Sequence, residues 1–381
     1  MHGVKRLFAW MLPRFDPSRY EVALVSLRRK DLSEETLESF GVDITYLHKS
    51  KFDPSTLPAL LKVIDRQGID ILHLHGYGAT TFGRAAAAMR GLPAILHEHA
   101  NLTDTPWFQK LADRLLAPAT DLAIAVSKST AEFVINARQM PTERVKIVYL
   151  GVPLEEFSRP RTEEEIAAAR RELGVRGGET AIGTVTRLHD SKGNSYLVDA
   201  AAIVLKERPN TRFFLVGEGP LRPDLEAQAA ALGLGDRFVF HGFARDVAAV
   251  VSAFDMSVFP SLWEGTPLTV FEALAMGKPI VATDADGLLD VLTDGRDAII
   301  VPKRDAPALA RAIIRMVDDP ALRSTLGAQA RVTAQQYDIA TFVRKMEHLY
   351  ELLHRVSRAT RRRGVLSADL SFLEARAFDG R

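Results

Sequence analysis

Two glutamates separated by seven residues are the first feature whose spacing suggests chemistry. Glu264 and Glu272 lie in the segment PSLWEGTPLTVFEALAMG, residues 260–277. Glu264 is predicted to lie in a loop directly after a strand, and Glu272 about one turn inside a helix that begins near Leu268. Both carboxylates and the positive end of that helix then point to the carboxyl edge of a sheet. Such a site can bind a ribose diol and a phosphate; two surface glutamates beside a tight loop are the alternative.

A basic loop in the segment GTVTRLHDSKG, residues 183–193, has the complementary chemistry. Arg187 follows a predicted strand, and its guanidinium can bind two phosphate oxygens at once. Lys192 adds a second positive charge, and Gly193 permits close approach of the backbone at the start of the next helix. A further glycine-rich loop, VGEGP, places Gly217 and Gly219 after another strand. Each loop alone is a weak indication of an anion site.

Short β-rich segments alternate with helical patterns along the whole chain, and these elements must position the loops. One series of predicted strands covers residues 21–27, 43–47, 70–75, 94–99 and 121–126, and a second covers 181–188, 212–217, 237–242, 256–261, 279–284 and 298–302. Predicted helices include residues 79–91, 128–138, 193–208, 220–233, 305–318 and 338–356. Apolar strands that alternate with helices indicate parallel sheets covered on both faces. Two such series predict an α/β protein with two doubly wound domains.

The length and composition agree with this organisation. The chain has 381 residues, and a prior of roughly 150 residues per domain gives two domains. We place them at residues 1–152 and 153–337, with the helix 338–356 packing back on the first domain and a basic tail at 357–381. A net charge of +1 does not indicate a nucleic-acid-binding protein. The absence of cysteine excludes disulfides, thiolate metal sites and cysteine nucleophiles, and it fits a cytoplasmic protein.

Two patterns imitate metal sites. The segments HLH (73–75) and HEH (97–99) each place two histidines on one face of a strand. We interpret His73 and His97 as packing or hydrogen-bonding residues and His75 as part of an acceptor site. The segment DAD (284–286) imitates an Asp-x-Asp metal motif, but it follows a buried strand and precedes a helix, so Asp286 is predicted to be a helix cap. We therefore expect no metal.

Taken together, these motifs resemble the family-4 retaining glycosyltransferases, which have the GT-B fold. The resemblance runs from about Gly3 to about Leu353, and the Glu-x7-Glu segment with its trailing EALAMGKPIVAT is its most specific part. It implies two doubly wound, Rossmann-like domains that face each other across a cleft. It also implies transfer of a sugar from a nucleotide-sugar to a hydroxyl acceptor, with retention of anomeric configuration and without a cofactor.

The resemblance assigns a role to each candidate residue. Arg187 and Lys192 are expected to hold the nucleotide diphosphate, and Glu272 the ribose hydroxyls. Glu264 is expected to face the donor sugar and to stabilise positive charge at the anomeric carbon. His99 matches a strand-end histidine near the reacting centre. The remaining expected contacts are the sugar and phosphate loop, Gly265, Thr266, Pro267 and Leu268, and the close-approach glycines Gly193, Gly217 and Gly219.

The amino-terminal segment departs from the family pattern. Family members open with a strand and a glycine-rich loop before the first helix, whereas this chain begins HGVKRLFAWMLPRF, which is typical of the end of that loop and the helix itself. We therefore expect the first strand of the N-terminal domain to be missing. A misassigned start, a fragment, and a segment that compensates for the strand are the three explanations.

Two other classes of function are weighed against sugar transfer. One is a nucleotide-sugar epimerase of the same fold, and the other is a non-catalytic nucleotide-binding or scaffold protein. The intact donor motif argues against both, and the truncated amino terminus favours the second. The arginines of the tail (Arg355, Arg358 and 361–363) predict either peripheral contact with an anionic membrane or a solvated tail without a partner.

Overall fold

A computed structural model describes residues 3–29, 37, 42–50, 53–101, 106–355 and 370–374. The chain forms two compact units. The first comprises Met1–Gly151 and Asp338–Arg381, and the second comprises Val152–Tyr337.

The first unit contains parallel strands and helices in alternation. Its strands are β1 (Leu24–Ser26), β2 (Ile44–Tyr46), β3 (Leu72–His75), β4 (Ala94–Glu98), β5 (Leu122–Ala125) and β6 (Val145–Ile147). Its helices are α1 (Gly3–Met11), α2 (Thr56–Gln67), α3 (Tyr77–Arg90), α4 (Trp107–Leu116), α5 (Lys128–Asn136), α15 (Ile339–Arg355) and α16 (Ser371–Glu374). Among the described residues, β1 pairs only with β2, and β3, β4, β5 and β6 form a second sheet in that order.

Burial explains why β5 and the first three residues of β4 are apolar. Every residue of both strands is buried, as expected for parallel strands that are covered on both faces. The helices that follow them have local start and stop signals. Ser127 caps α5 by accepting a hydrogen bond from the backbone of Thr130, and Gly91 ends α3 in the left-handed conformation.

The second unit is a parallel α/β domain. Its strands are β7 (Thr180–Val185), β8 (Thr211–Val216), β9 (Phe238–Gly242), β10 (Met256–Phe259), β11 (Ile280–Thr283) and β12 (Ala298–Val301). Its helices are α6 (Leu154–Phe157), α7 (Glu163–Glu172), α8 (Asn194–Glu207), α9 (Arg222–Ala231), α10 (Val247–Ser252), α11 (Leu268–Ala275), α12 (Asp286–Leu289), α13 (Ala306–Asp318) and α14 (Pro320–Ala334). The core joins α8 and α13 to β7, β8 and β10.

The strand order of this sheet fixes where a ligand can bind. The order is β12-β11-β10-β7-β8-β9, with all pairs parallel. From β7 the chain first adds strands on one side, through β8 and β9, and then on the other side, through β10. The order therefore reverses between β7 and β10, and ligands of open α/β sheets bind outside the carboxyl ends of the strands at such a switch point.

The alternating strands and helices predicted from the sequence are confirmed, with every predicted strand found within a few residues of its expected place. The described residues contain no helix that is both long and apolar enough to cross a membrane. Four of the tail arginines, Arg358 and residues 361–363, lie outside the described residues. Arg355 is described and forms an ion pair with Glu351 one turn earlier.

Candidate functional site

Backbone contacts join the two loops that follow β7 and β10. The amide of Leu262 donates a hydrogen bond of 2.8 Å to the carbonyl of Ser191. Gly193 has a φ of +59°, and a Cβ at this position would lie 2.0 Å from the carbonyl oxygen of Pro260. Only glycine fits this combination of positive φ and close approach. The loops that carry the predicted basic and acidic residues are therefore built against each other at the switch point.

An ion pair between Lys192 and Glu264 lies where these loops meet. The Lys192 ammonium is 2.5 Å and 2.6 Å from the two carboxylate oxygens of Glu264. The Ser261 hydroxyl donates a further hydrogen bond of 2.7 Å to Glu264 Oε1. The Glu264 side chain is only 8% exposed and that of Lys192 18%. The carboxylate thus lies nearly buried with its charge compensated by one lysine.

Arg187 stands apart from this pair. It is exposed, and its guanidinium forms no ion pair with any residue that the structure describes. Its backbone is held by the Asn194 side chain, which donates a hydrogen bond of 3.1 Å to the Arg187 carbonyl. The guanidinium is therefore available to an anion outside the carboxyl ends of β7 and β10.

Helix α11 begins at the predicted residue. Pro267 is its N-cap, Leu268 its first residue, and Glu272 lies one turn inside it, fully buried. Gly265 and Thr266 are also buried in the loop before the helix. Helix α11 thus begins four residues after Glu264, and its dipole favours negative charge at this amino-terminal end.

Gly287 supports this loop and was missed by the sequence analysis. A Cβ at Gly287 would lie 1.4 Å from the Gly265 carbonyl oxygen and 2.8 Å from that of Glu264. The loop of the Glu-x7-Glu segment therefore rests directly on the first turn of α12. The only sequence signal for Gly287 was its position just after a strand, in the segment DADG. Its contact, Gly265, lies 22 residues earlier in the chain, so the local sequence pattern did not indicate this contact.

The close approaches of Gly217 and Gly219 are made to protein backbone. Cβ atoms at these positions would lie 1.8 Å from the Thr186 carbonyl oxygen and 2.2 Å from that of Leu188. Both carbonyls belong to the loop after β7. The glycines of VGEGP therefore let the loop after β8 pack against the loop that carries Arg187, and contact with a ligand stays a prediction for them.

In the first unit, four histidines cluster at the carboxyl ends of β3 and β4. His73 Nε2 is 3.1 Å from His97 Nδ1, and His75 Nδ1 is 2.8 Å from His99 Nε2. The Tyr350 hydroxyl is 2.6 Å from His73 Nδ1. The hydrogen bonds expected of His73 and His97 are thus present.

Burial keeps all four imidazoles neutral. It lowers the pKa of His73 to about 3 and that of His99 to about 4. It also lowers the pKa values of His75 and His97 well below their ordinary value. His99 Nδ1 is buried and has no hydrogen-bond partner among the described residues. A neutral imidazole with an unused ring nitrogen can exchange a proton or a hydrogen bond with a substrate hydroxyl.

The geometry of the histidine rings does not favour a metal. Nitrogens of His73, His75 and His97 lie within 4.8 Å of one another. However, the rings of His73 and His97 are stacked at an interplanar angle of 10°, and those of His97 and His99 at 19°. Ring lone pairs lie in the ring plane, so stacked imidazoles do not point at one tetrahedral centre. That the reaction uses no metal stays a prediction.

The predicted cap at Asp286 is wrong. Ala285 is the N-cap of α12, Asp286 is the first helical residue, and no side chain makes a cap hydrogen bond. Asp284, the other acid of the DAD segment, accepts a hydrogen bond of 2.8 Å from the amide of Lys303. The helix begins one residue earlier than expected, because the extended backbone that precedes it ends at Ala285 and Asp286 is already helical.

Comparison with known proteins identifies the family. Residues 2–156 match the model of glycosyltransferase family 4, and residues 179–319 match that of the glycosyl transferases group 1. The 2-deoxystreptamine N-acetyl-D-glucosaminyltransferase of Streptomyces fradiae is 30% identical over 306 residues, which cover 73% of this chain and 70% of that protein. The chain belongs to glycosyltransferase family 4. The predicted family is thereby confirmed.

One further relative and one solved structure extend the comparison of this family-4 glycosyltransferase. The UDP-Gal:alpha-D-GlcNAc-diphosphoundecaprenol alpha-1,3-galactosyltransferase of Escherichia coli is 25% identical over 308 residues, covering 78% of this chain and 79% of that protein. The structure of Anabaena HepE in complex with UDP and glucose superposes with a TM-score of 0.80 at 21% identity, covering 92% and 96% of the two chains. The GT-B fold with two Rossmann-like domains is confirmed.

Proposed function

We propose that this family-4 glycosyltransferase moves a hexose-type sugar from a nucleoside-diphosphate sugar to a hydroxyl acceptor, with retention of anomeric configuration and without a metal. One observation carries the proposal. The loops after β7 and β10 meet at the switch point of the second unit and bring Lys192, Glu264 and the amino terminus of α11 together, with Arg187 exposed nearby. Cations and a helix dipole stabilise a diphosphate, and a carboxylate can bind the hydroxyls of a sugar.

The donor is held chiefly through its diphosphate. The Arg187 guanidinium binds phosphate oxygens, and Lys192 exchanges its carboxylate partner for the diphosphate when the donor enters. Glu272, buried in α11, is the proposed ligand of the ribose hydroxyls. Glu264, released from Lys192, then faces the sugar, and the backbone from Gly265 to Leu268 contacts sugar and phosphate.

The reaction breaks the bond between the anomeric carbon and the phosphate oxygen and forms a bond from that carbon to the acceptor oxygen on the same face. The electron pair of the broken bond stays on the nucleoside diphosphate, where Arg187, Lys192 and the dipole of α11 stabilise the new negative charge. The leaving phosphate oxygen receives the proton of the acceptor hydroxyl. Glu264 stabilises the positive charge that develops at the anomeric carbon, and His99 orients the substrate hydroxyls at the reacting centre.

The acceptor is proposed to be a glycan, a lipid-linked sugar or a small glycoside precursor, in polysaccharide or glycolipid synthesis. The name of the E. coli relative supports a lipid-linked acceptor, and that of the S. fradiae relative supports a small aminocyclitol. We place the enzyme in the cytoplasm, which agrees with a sequence that has no cysteine.

Isothermal titration with UDP, GDP and ADP tests the donor site. We expect one of the three to bind the wild-type chain and to bind Arg187→Ala more weakly. Arg311→Ala, which removes an exposed arginine of α13, serves as the matched control and should bind like the wild type. Wild-type affinity in Arg187→Ala would overturn the site. Donor binding without sugar transfer would favour a non-catalytic nucleotide-binding protein. Inversion at a sugar carbon of the free donor would favour an epimerase.

A further inference from the structure

Helix α4 exposes an unusual amount of apolar surface. Trp107 is 77% exposed, Leu115 69%, Leu111 49% and Phe108 41%. At 3.6 residues per turn these four side chains fall within about 100° of the helix circumference. We call Trp107, Phe108, Leu111 and Leu115 the apolar stripe. A contiguous exposed patch of this kind on a folded protein marks an interaction site.

The polar residues of the same helix face inward. Gln109 is 3% exposed and Asp113 is fully buried. Asp113 forms ion pairs with Arg84 and with Arg138, the latter at 3.1 Å, and Arg138 also binds Glu98 at 2.7 Å. Rotating the apolar stripe inward would withdraw Asp113 from these buried cations, at a high cost in free energy. The network therefore holds α4 with its apolar stripe toward solvent.

Two cations flank the apolar stripe on one side. Lys110 and Arg114 are exposed and lie one helical turn apart. Neither forms an ion pair with any residue in the described part of the chain. The outward residues of α4 are thus four apolar side chains and two cations, and none of them is acidic. A helix with this composition is suited to the boundary between the acyl chains and the headgroups of anionic lipids.

We propose that α4 binds the surface of a membrane that contains anionic phospholipid. The apolar stripe enters the boundary between headgroups and acyl chains, with Trp107 at the level where indole rings are favoured. Lys110 and Arg114 pair with lipid phosphates. Because α4 is already folded and oriented by the Asp113 network, binding requires no coupled folding.

The chemistry of the outward face favours lipid over a second copy of this chain. A self-association through the stripe would bring the cations of two copies close together, whereas an anionic bilayer neutralises them. Membrane binding by α4 does not depend on sugar transfer, since no residue of α4 takes part in the proposed donor or acceptor chemistry. The proposed membrane contact lies on a helix of the first unit and not on the arginine-rich tail.

Co-sedimentation with vesicles tests the proposal on the full chain. The probes are vesicles of phosphatidylcholine alone and of phosphatidylcholine with about one third phosphatidylglycerol. We expect the wild type to bind the anionic vesicles, and salt to weaken this binding. Leu111→Ser/Leu115→Ser should reduce binding at least about tenfold, and Lys110→Gln/Arg114→Gln should both weaken it and reduce its salt dependence.

The matched control is Leu232→Ser/Val332→Ser, which removes two apolar side chains of similar exposure from the second unit. It should bind vesicles like the wild type. Spin-labelled lipid should quench the fluorescence of the wild type more than that of Trp107→Phe. Unchanged melting temperatures are expected for all stripe variants because the replaced side chains are exposed.

Four results would overturn the proposal. The first two are that the wild type does not bind anionic vesicles and that Leu111→Ser/Leu115→Ser binds them fully. The third is that the control variant loses as much vesicle binding as the stripe variant. The fourth is that the apolar stripe holds a dimer together and the protein does not bind vesicles. Full binding by the stripe variant would place the membrane contact elsewhere, including the tail. Sedimentation velocity of the wild type and the stripe variant detects the dimer.

Discussion

Lys192 and Arg187 carry the same charge in the donor site but differ in what they stabilise without a ligand. Lys192 neutralises the nearly buried Glu264, whereas Arg187 is exposed and has no ion-pair partner among the described residues. Removing Lys192 leaves a buried carboxylate without its cation, which costs roughly 1–3 kcal/mol. Removing Arg187 has no such effect.

We therefore predict that Arg187→Ala and Lys192→Ala both weaken nucleoside-diphosphate binding, by roughly 1.5–3 kcal/mol each, but that only Lys192→Ala also lowers the melting temperature. Titration calorimetry and thermal unfolding of the two variants measure these effects. Equal melting temperatures would show that the Lys192–Glu264 pair does not stabilise the fold. Unchanged affinity in both variants would remove the two cations from the donor site.

Substitutions of the two glutamates of the Glu-x7-Glu segment should affect turnover and nucleotide affinity differently. Glu264→Gln keeps the shape of the side chain but removes the charge that we propose to face the sugar, so turnover should fall far more than nucleoside-diphosphate affinity. Glu272→Gln should weaken binding of the nucleotide itself, because the ribose is its proposed partner. Calorimetry with the free nucleoside diphosphate, beside steady-state rates, separates the two; the opposite pattern would mean that the roles are exchanged.

Gly287 provides a test of loop position that does not touch a charge. A Cβ in Gly287→Ala would collide with the Gly265 carbonyl, so the Glu264 loop must move, and a displacement of this kind costs activity steeply. We expect a large loss of kcat/KM with little change in secondary structure. Gly177→Ala, where a Cβ meets nothing within 4 Å, is the control, and an active Gly287→Ala enzyme would show that the loop position is not critical.

At the scale of elements, β3 and β4 bury a set of neutral histidines whose ionisation opposes folding. The folded-state pKa values of His73 and His99 are about 3 and about 4, below the ordinary value of 6.5. As the pH falls below 6.5, the unfolded chain binds protons that the folded chain does not. The free energy of unfolding therefore decreases with falling pH, by up to about 1.4 kcal/mol per pH unit for each histidine.

Urea unfolding between pH 7 and about 4.5 measures this dependence. In a Trp263→Phe background the remaining tryptophans, Trp10 and Trp107, both lie in the first unit, so fluorescence reports on that unit. We expect His99→Asn to reduce the pH slope and His354→Asn, at an exposed position of α15, to leave it unchanged. A stability that does not vary over this pH range would contradict the burial of neutral histidines.

Helix α4 illustrates what local sequence does not determine. The segment WFQKLADRLL was not among the predicted helices, and an amphipathic pattern does not say which face is buried. That choice is made by Arg84 and Arg138, which bind Asp113 from positions 29 and 25 residues away. By contrast, the strands and the start of α11 depend on local apolar runs and on Pro267, so they were predicted correctly.

At the scale of the whole molecule, the order of the strands decides which loops meet. The positions of the motif residues at strand ends could be predicted from the sequence, because each motif lies just after an apolar strand. Their contacts were not, since the Lys192–Glu264 pair joins positions 72 residues apart and the packing of Gly287 on Gly265 joins two loops. Sequence therefore indicated the residue types of the proposed donor site, and the fold of the second unit pairs Lys192 with Glu264.

The anomeric configuration of the transferred sugar distinguishes retaining transfer from inverting transfer. The full chain is incubated with the nucleoside-diphosphate sugar of the base that binds and with hydroxyl acceptors, in excess EDTA, and the first-formed product is examined by proton NMR. We expect a glycoside with the same anomeric configuration as the donor, formed at an undiminished rate without divalent metal. A product of inverted configuration, or transfer that occurs only when magnesium or manganese is restored, would contradict it.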